Sequence, residues 1–93
     1  MLEVIVALTL LLSNAGESQK EIVCSLDLVR IESNYHIESI NTKSGAYGLF
    51  QLMRIDKKLS MQQQVDKYLK YLKHRYKGNS CLALKHLQSK HWY

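Results

Sequence analysis

Residues 60–77 read SMQQQVDKYLKYLKHRYK. Val65, Leu69, Leu72 and Tyr76 recur at i, i+4, i+7 and i+11, the repeat of one helical face. Lys67, Lys70, Lys73 and Lys77 fall on the other side and read as a solvated face. Ser60 offers an N-cap, and Gly78-Asn79 supplies the stop. Working outward, residues 19–33 place Ile22, Val23, Leu26 and Val29 at helical spacing, with Ser18 and Glu21 forming a capping box at the start. Downstream, a last helix is expected from Ser80 or Cys81 to about Gln88. Residues 33–44, rich in Ser, Asn, Thr and Lys, read as a loop. The apolar stretch 46–53, AYGLFQLM, reads as a short buried helix or strand. No stretch shows sustained strand alternation, so the expected fold is mainly α.

The chain has 93 residues, 46% of them hydrophobic, 23% charged and none proline. That length allows one small domain and excludes a multidomain enzyme. A domain of this size buries only about 60% of its unfolded surface, so its core is modest and needs help elsewhere. The charged fraction and a mean hydropathy of −0.23 argue against both a disordered tail and a polytopic membrane protein, and six Tyr with one Trp and one Phe are enough aromatics for a core.

Residues 4–12, VIVALTLLL, form an apolar run less than half as long as the roughly 20 residues of a membrane span. The run has the length of a secretory core region, and Ser13 and Ala15 place small residues where a signal peptidase reads. No Lys or Arg precedes it. Residues 1–15 are read as a signal peptide or N-terminal hydrophobic segment, with a helix packed on the domain or lying at a membrane surface as the alternative. Residues 16–93 then form the functional domain. Cys24 and Cys81 both lie in it, and two cysteines in a small exported chain point to one disulfide, with two buried thiols as the alternative.

Charge is unevenly spread. Residues 1–53 carry three Lys or Arg against six Asp or Glu, and residues 54–93 carry ten against two. A basic half attracts polyanions. No nucleic-acid motif accompanies it, and His36, His74, His86 and His91 are not spaced as a metal site, so neither nucleic acid, metal nor organic cofactor is expected. Contact with an anionic cell-wall polymer stays open, with His86 and His91 near Trp92 as candidates.

The chemistry is concentrated in Glu32-Ser33-Asn34-Tyr35 and in Ser44-Gly45-Ala46-Tyr47-Gly48-Leu49-Phe50-Gln51-Leu52-Met53. Glu32 follows Leu28 and Val29 by four and three residues, so its carboxylate projects from a helix end near the apolar side. Desolvation there raises a carboxyl pKa and lets the group hold a proton for general-acid work. Gly45 and Gly48 bracket a tight turn, and Gln51 brings an amide to the same wall.

This pair of segments resembles the two central motifs of the lytic transglycosylase (SLT) family, which has the lysozyme-like superfold, in its small phage or exported form. The resemblance runs from about Ile22 to Tyr93. It implies a small lysozyme-like helical domain that cleaves peptidoglycan glycan strands between N-acetylmuramic acid and N-acetylglucosamine. Glu32 is then the acid and base, and Ser33, Tyr47, Gln51 and Met53 contact the substrate. The localisation implied is periplasmic, extracellular or virion-associated. The same segments resemble animal c-type lysozymes, but Ala46 stands where those carry a second catalytic Asp. A retaining hydrolase needs two carboxylates about 5 Å apart, and Asp27 and Glu38 do not occupy the matching place. An Ala-Tyr-Asn motif of many transglycosylases is missing around Ala83-Leu84-Lys85-His86, which leaves Tyr71, Tyr76 and Tyr93 as candidates for its tyrosine. A water-using muramidase and a non-catalytic basic wall-binding or assembly protein are the alternative readings.

Overall fold

The computed structural model describes residues 1–53 and 58–93. Among them are four helices: α1 (Leu2–Asn14), α2 (Gln19–Ser33), α3 (Met61–Tyr76) and α4 (Ser80–Lys90). The protein is mainly α. α2 packs against α4 and α1, and α3 packs against α1 and α4.

The helix boundaries follow local chemistry. Ser18 and Glu21 form the capping box of α2, and Ser60 with Gln63 forms the same device at α3. At the end of α3, Lys77 takes left-handed backbone and the Gly78 N–H returns to the Leu72 carbonyl at 2.9 Å. Asn79 then caps α4 by accepting the Leu82 N–H at 3.1 Å. α4 continues two residues past the expected Gln88, to Lys90.

Three ties hold α2 in place. The Cys24–Cys81 disulfide joins it to α4, with Cα atoms 5.1 Å apart. Ser80 donates its hydroxyl to the Glu21 carbonyl at 2.9 Å. Ser25 shares a buried 2.7 Å hydrogen bond with the Tyr68 hydroxyl, which joins α2 to α3.

On α3 the buried positions are Gln64, Val65, Tyr68 and Leu72, whereas Leu69 is half-buried. Val65 and Leu72 are buried as expected, and Tyr68 takes the place expected of its neighbour Leu69. Tyr68 goes inside because its ring stacks on Phe50, with centroids 4.0 Å apart, and its hydroxyl has Ser25 as partner.

Segment 46–53 is neither helix nor strand. It is a chain of turns carrying two isolated antiparallel bridges, Ile40 with Tyr47 and Tyr47 with Leu52. Gln64 holds it from α3, because its Oε1 accepts the Leu49 N–H and its Nε2 donates to the Ile37 and Leu59 carbonyls. Side-chain acceptors and donors replace the ladder a strand would have had. The apolar residues 4–12 lie within α1, whose Leu8 and Leu12 are fully buried in the common core.

Candidate functional site

Glu32 sits in the last turn of α2, half-buried, and opens on a cleft of about 720 Å³. Three parts of the chain enclose it. Ala46, Gln51, Leu52 and Met53 come from the turn segment, Lys67, Lys70, Tyr71 and His74 from α3, and His91, Trp92 and Tyr93 follow α4. Burial pushes the Glu32 carboxyl up to about 7. Its position at the negative end of the α2 dipole acts in the same direction. Among the described residues no ion pair reaches this group, and Glu32 is the only acidic side chain lining the cleft.

The expected site residues divide into two sets. Gln51 and Met53 line the cleft with Glu32. Gln51 does so from left-handed backbone (φ 50°), with its amide nitrogen committed to the Ser39 and Gly48 carbonyls at 2.9 Å each. Ser33 and Tyr47, expected against substrate, turn inward instead. The Ser33 hydroxyl donates to the Leu49 carbonyl at 2.8 Å and so ties the end of α2 to the turn segment. The Tyr47 ring is buried, and its hydroxyl accepts the Lys58 N–H at 3.2 Å. Both residues shape the site from behind.

Ala46 lines the cleft, so the position matched to the second lysozyme carboxylate faces the site and presents a methyl group. Asp27 lies 3.7 Å from Arg30, Glu38 is exposed, and neither lines the cleft. Asp56 lies outside the described residues.

Of the three candidate tyrosines, Tyr71 and Tyr93 line the cleft and Tyr76 does not. Tyr93 is anchored at both ends. Its hydroxyl donates to the Phe50 carbonyl at 2.6 Å, and its main-chain oxygen accepts the Tyr71 and Tyr76 hydroxyls at 2.6 and 2.8 Å. Burial raises the Tyr93 hydroxyl pKa, and the nearby Tyr68 and Glu32 act in the same direction. Tyr93 therefore stays a neutral hydrogen-bond donor beside the carboxylate. Trp92 is 53% exposed, with the Arg75 guanidinium 4.9 Å from its ring centre and the His86 ring packed edge-on, centroids 4.4 Å apart.

The lining residues Lys67, Lys70 and His74 were not expected there. Their spacing i, i+3 and i+7 is itself a helical stripe, running beside Tyr71. That stripe was the available signal, obscured because lysines opposite an apolar face read as solvated.

No protein-family model, curated protein or solved structure matches the chain.

Proposed function

We propose that the protein is a peptidoglycan lytic transglycosylase, exported or carried in a virion, that cleaves the β-1,4 bond between N-acetylmuramic acid and N-acetylglucosamine. The observation that carries this reading is Glu32, the one acidic side chain lining the cleft among the described residues, its pKa raised to about 7 by burial, in a cleft that Ala46 also lines.

A group with that pKa is divided between acid and base at neutral pH, as two-way proton transfer requires. Protonated Glu32 gives its proton to the glycosidic oxygen as the bond from that oxygen to the muramic acid C1 breaks. The bonding electrons leave with the N-acetylglucosamine oxygen, and positive charge develops at C1. Glu32, now ionised, takes the proton of the 6-hydroxyl on the same muramic acid, and that oxygen closes on C1. The products are a 1,6-anhydro end and a free 4-hydroxyl, and the carboxyl is restored. The attacking hydroxyl belongs to the substrate and has a high effective molarity, so neither a protein nucleophile nor water is needed. A methyl at position 46 suits this scheme, because a second carboxylate there would serve a hydrolytic route.

Mass analysis of fragments released from purified peptidoglycan tests the reading. Anhydro ends, lighter by one water than reducing ends, are the expected product. Reducing ends would assign a muramidase, and absence of release would assign a non-catalytic wall-binding protein.

A further inference from the structure

The Glu32 cleft carries two cations that its own chemistry does not use. Lys67 and Lys70 leave α3 on adjacent turns of one face, and both line the cleft. Neither is ion-paired among the described residues. Among the described residues no acidic side chain other than Glu32 lines the cleft, and His74 and His91 add ring nitrogens to it.

An open cleft lined on one side by two lysines and on another by a carboxyl half-protonated at neutral pH is complementary to an anion fixed at some distance from the bond being broken. A neutral chitin-type strand offers no such group. A peptidoglycan strand does, because each muramic acid can bear a peptide stem ending in free carboxylates.

We infer that Lys67 and Lys70 form a carboxylate subsite that selects glycan strands bearing acidic peptide stems over uncharged strands. This rests on the glycan-cleaving reading above and names the part of the substrate that the α3 side of the cleft recognises. Lys67 and Lys70 act on substrate choice, while Glu32 acts on the bond.

Binding to the full-length Glu32→Gln protein tests the inference without requiring cleavage. The probes are a muropeptide tetrasaccharide with free stem carboxylates, the same compound with those carboxylates amidated, and chitotetraose. The free-carboxylate compound should bind about tenfold more tightly than its amidated form in low salt, as expected of two modest charge pairs. That gap should shrink at high salt and close when Lys67→Gln and Lys70→Gln are added. Both lysines are exposed and glutamine has similar helix propensity, so circular dichroism should show an intact fold. Equal binding of the free and amidated compounds, or a gap that survives the double substitution, would overturn the subsite. Lysine-dependent binding of polyglycerol phosphate in place of the muropeptide would overturn it too, assigning these cations to a wall phosphate polymer. Failure of the glycan-cleaving reading shows elsewhere, as absence of released fragments from the unsubstituted protein.

Discussion

The Gln64 side-chain Oε1 accepts the Leu49 N–H at 2.8 Å, across fifteen residues of sequence, and the same side chain donates to the Ile37 and Leu59 carbonyls. Gln64 is 2% exposed, so these three bonds are made away from water. One glutamine on α3 thus stands in for a missing strand partner and sets the turn segment against Glu32.

Gln64→Ala should therefore cost about 3 kcal/mol, because it leaves a buried N–H and two carbonyls without their partner. Urea unfolding measures the loss. Wild-type stability would show that water takes over these bonds.

Gly48→Ala should be more damaging than Gly45→Ala. Both glycines have positive φ, but a Cβ at Gly48 runs into the Gln64 amide, whereas at Gly45 it meets nothing within 4 Å. Strain alone costs about 1 kcal/mol, and the collision at Gly48 adds to that figure. Paired melting curves of the two variants make the comparison.

Glu32→Gln should lower wall cleavage at least ~10²-fold while leaving the fold intact. In the unsubstituted protein kcat/KM should fall as pH rises through about 7, since the first step needs the protonated carboxyl. A rate that is flat across that range would remove Glu32 from the acid role.

Stability should also fall as pH rises from about 4.5 to about 7. Burial lifts both Glu17 and Glu32 to about 7, with the charge of Glu21 adding to the effect at Glu17. In that window the folded chain binds more protons than the unfolded chain, so the slope of unfolding free energy with pH is negative. One carboxylate oxygen of Glu17 is buried without a hydrogen-bond partner. Glu17→Gln should stabilise the protein at pH 8 by about 1 kcal/mol after solvent screening, and by almost nothing at pH 4. Chemical denaturation at the two pH values gives the difference.

Replacing Cys24 and Cys81 with alanine opens a loop spanning 57 residues of sequence separation. The chain-entropy account puts the loss at about 4 kcal/mol, a large share of the stability of so small a domain. The melting temperature of the variant should drop by more than ten degrees, and reduction of the unsubstituted protein should reproduce the drop.

What the sequence made legible was local. The capping box at Ser18 and the N-cap at Ser60 act within three residues and mark the starts of α2 and α3 correctly. The Glu32 environment was also readable, because Leu28, Val29 and the 46–53 stretch are all apolar. What it hid was pairing at a distance. Tyr68 and Leu69 are adjacent, and only Phe50 and Ser25, far off in sequence, decide that Tyr68 faces inward. Ser33 and Tyr47 carry polar groups that suit a sugar, and the backbone groups that claim them lie 16 and 11 residues away. Gln64 sits among three consecutive glutamines, and nothing local separates it from Gln62 and Gln63.

Leu8 and Leu12 are fully buried against the helices that also hold the cleft together. Scission after Ala15 would uncover the flanks of α2 and α3 and forfeit about 3–6 kcal/mol of apolar burial. Precursor and product would then be bodies of unequal sturdiness. An unprocessed chain that packed α1 early would resist threading through a translocation channel, so secretion would require passage before folding.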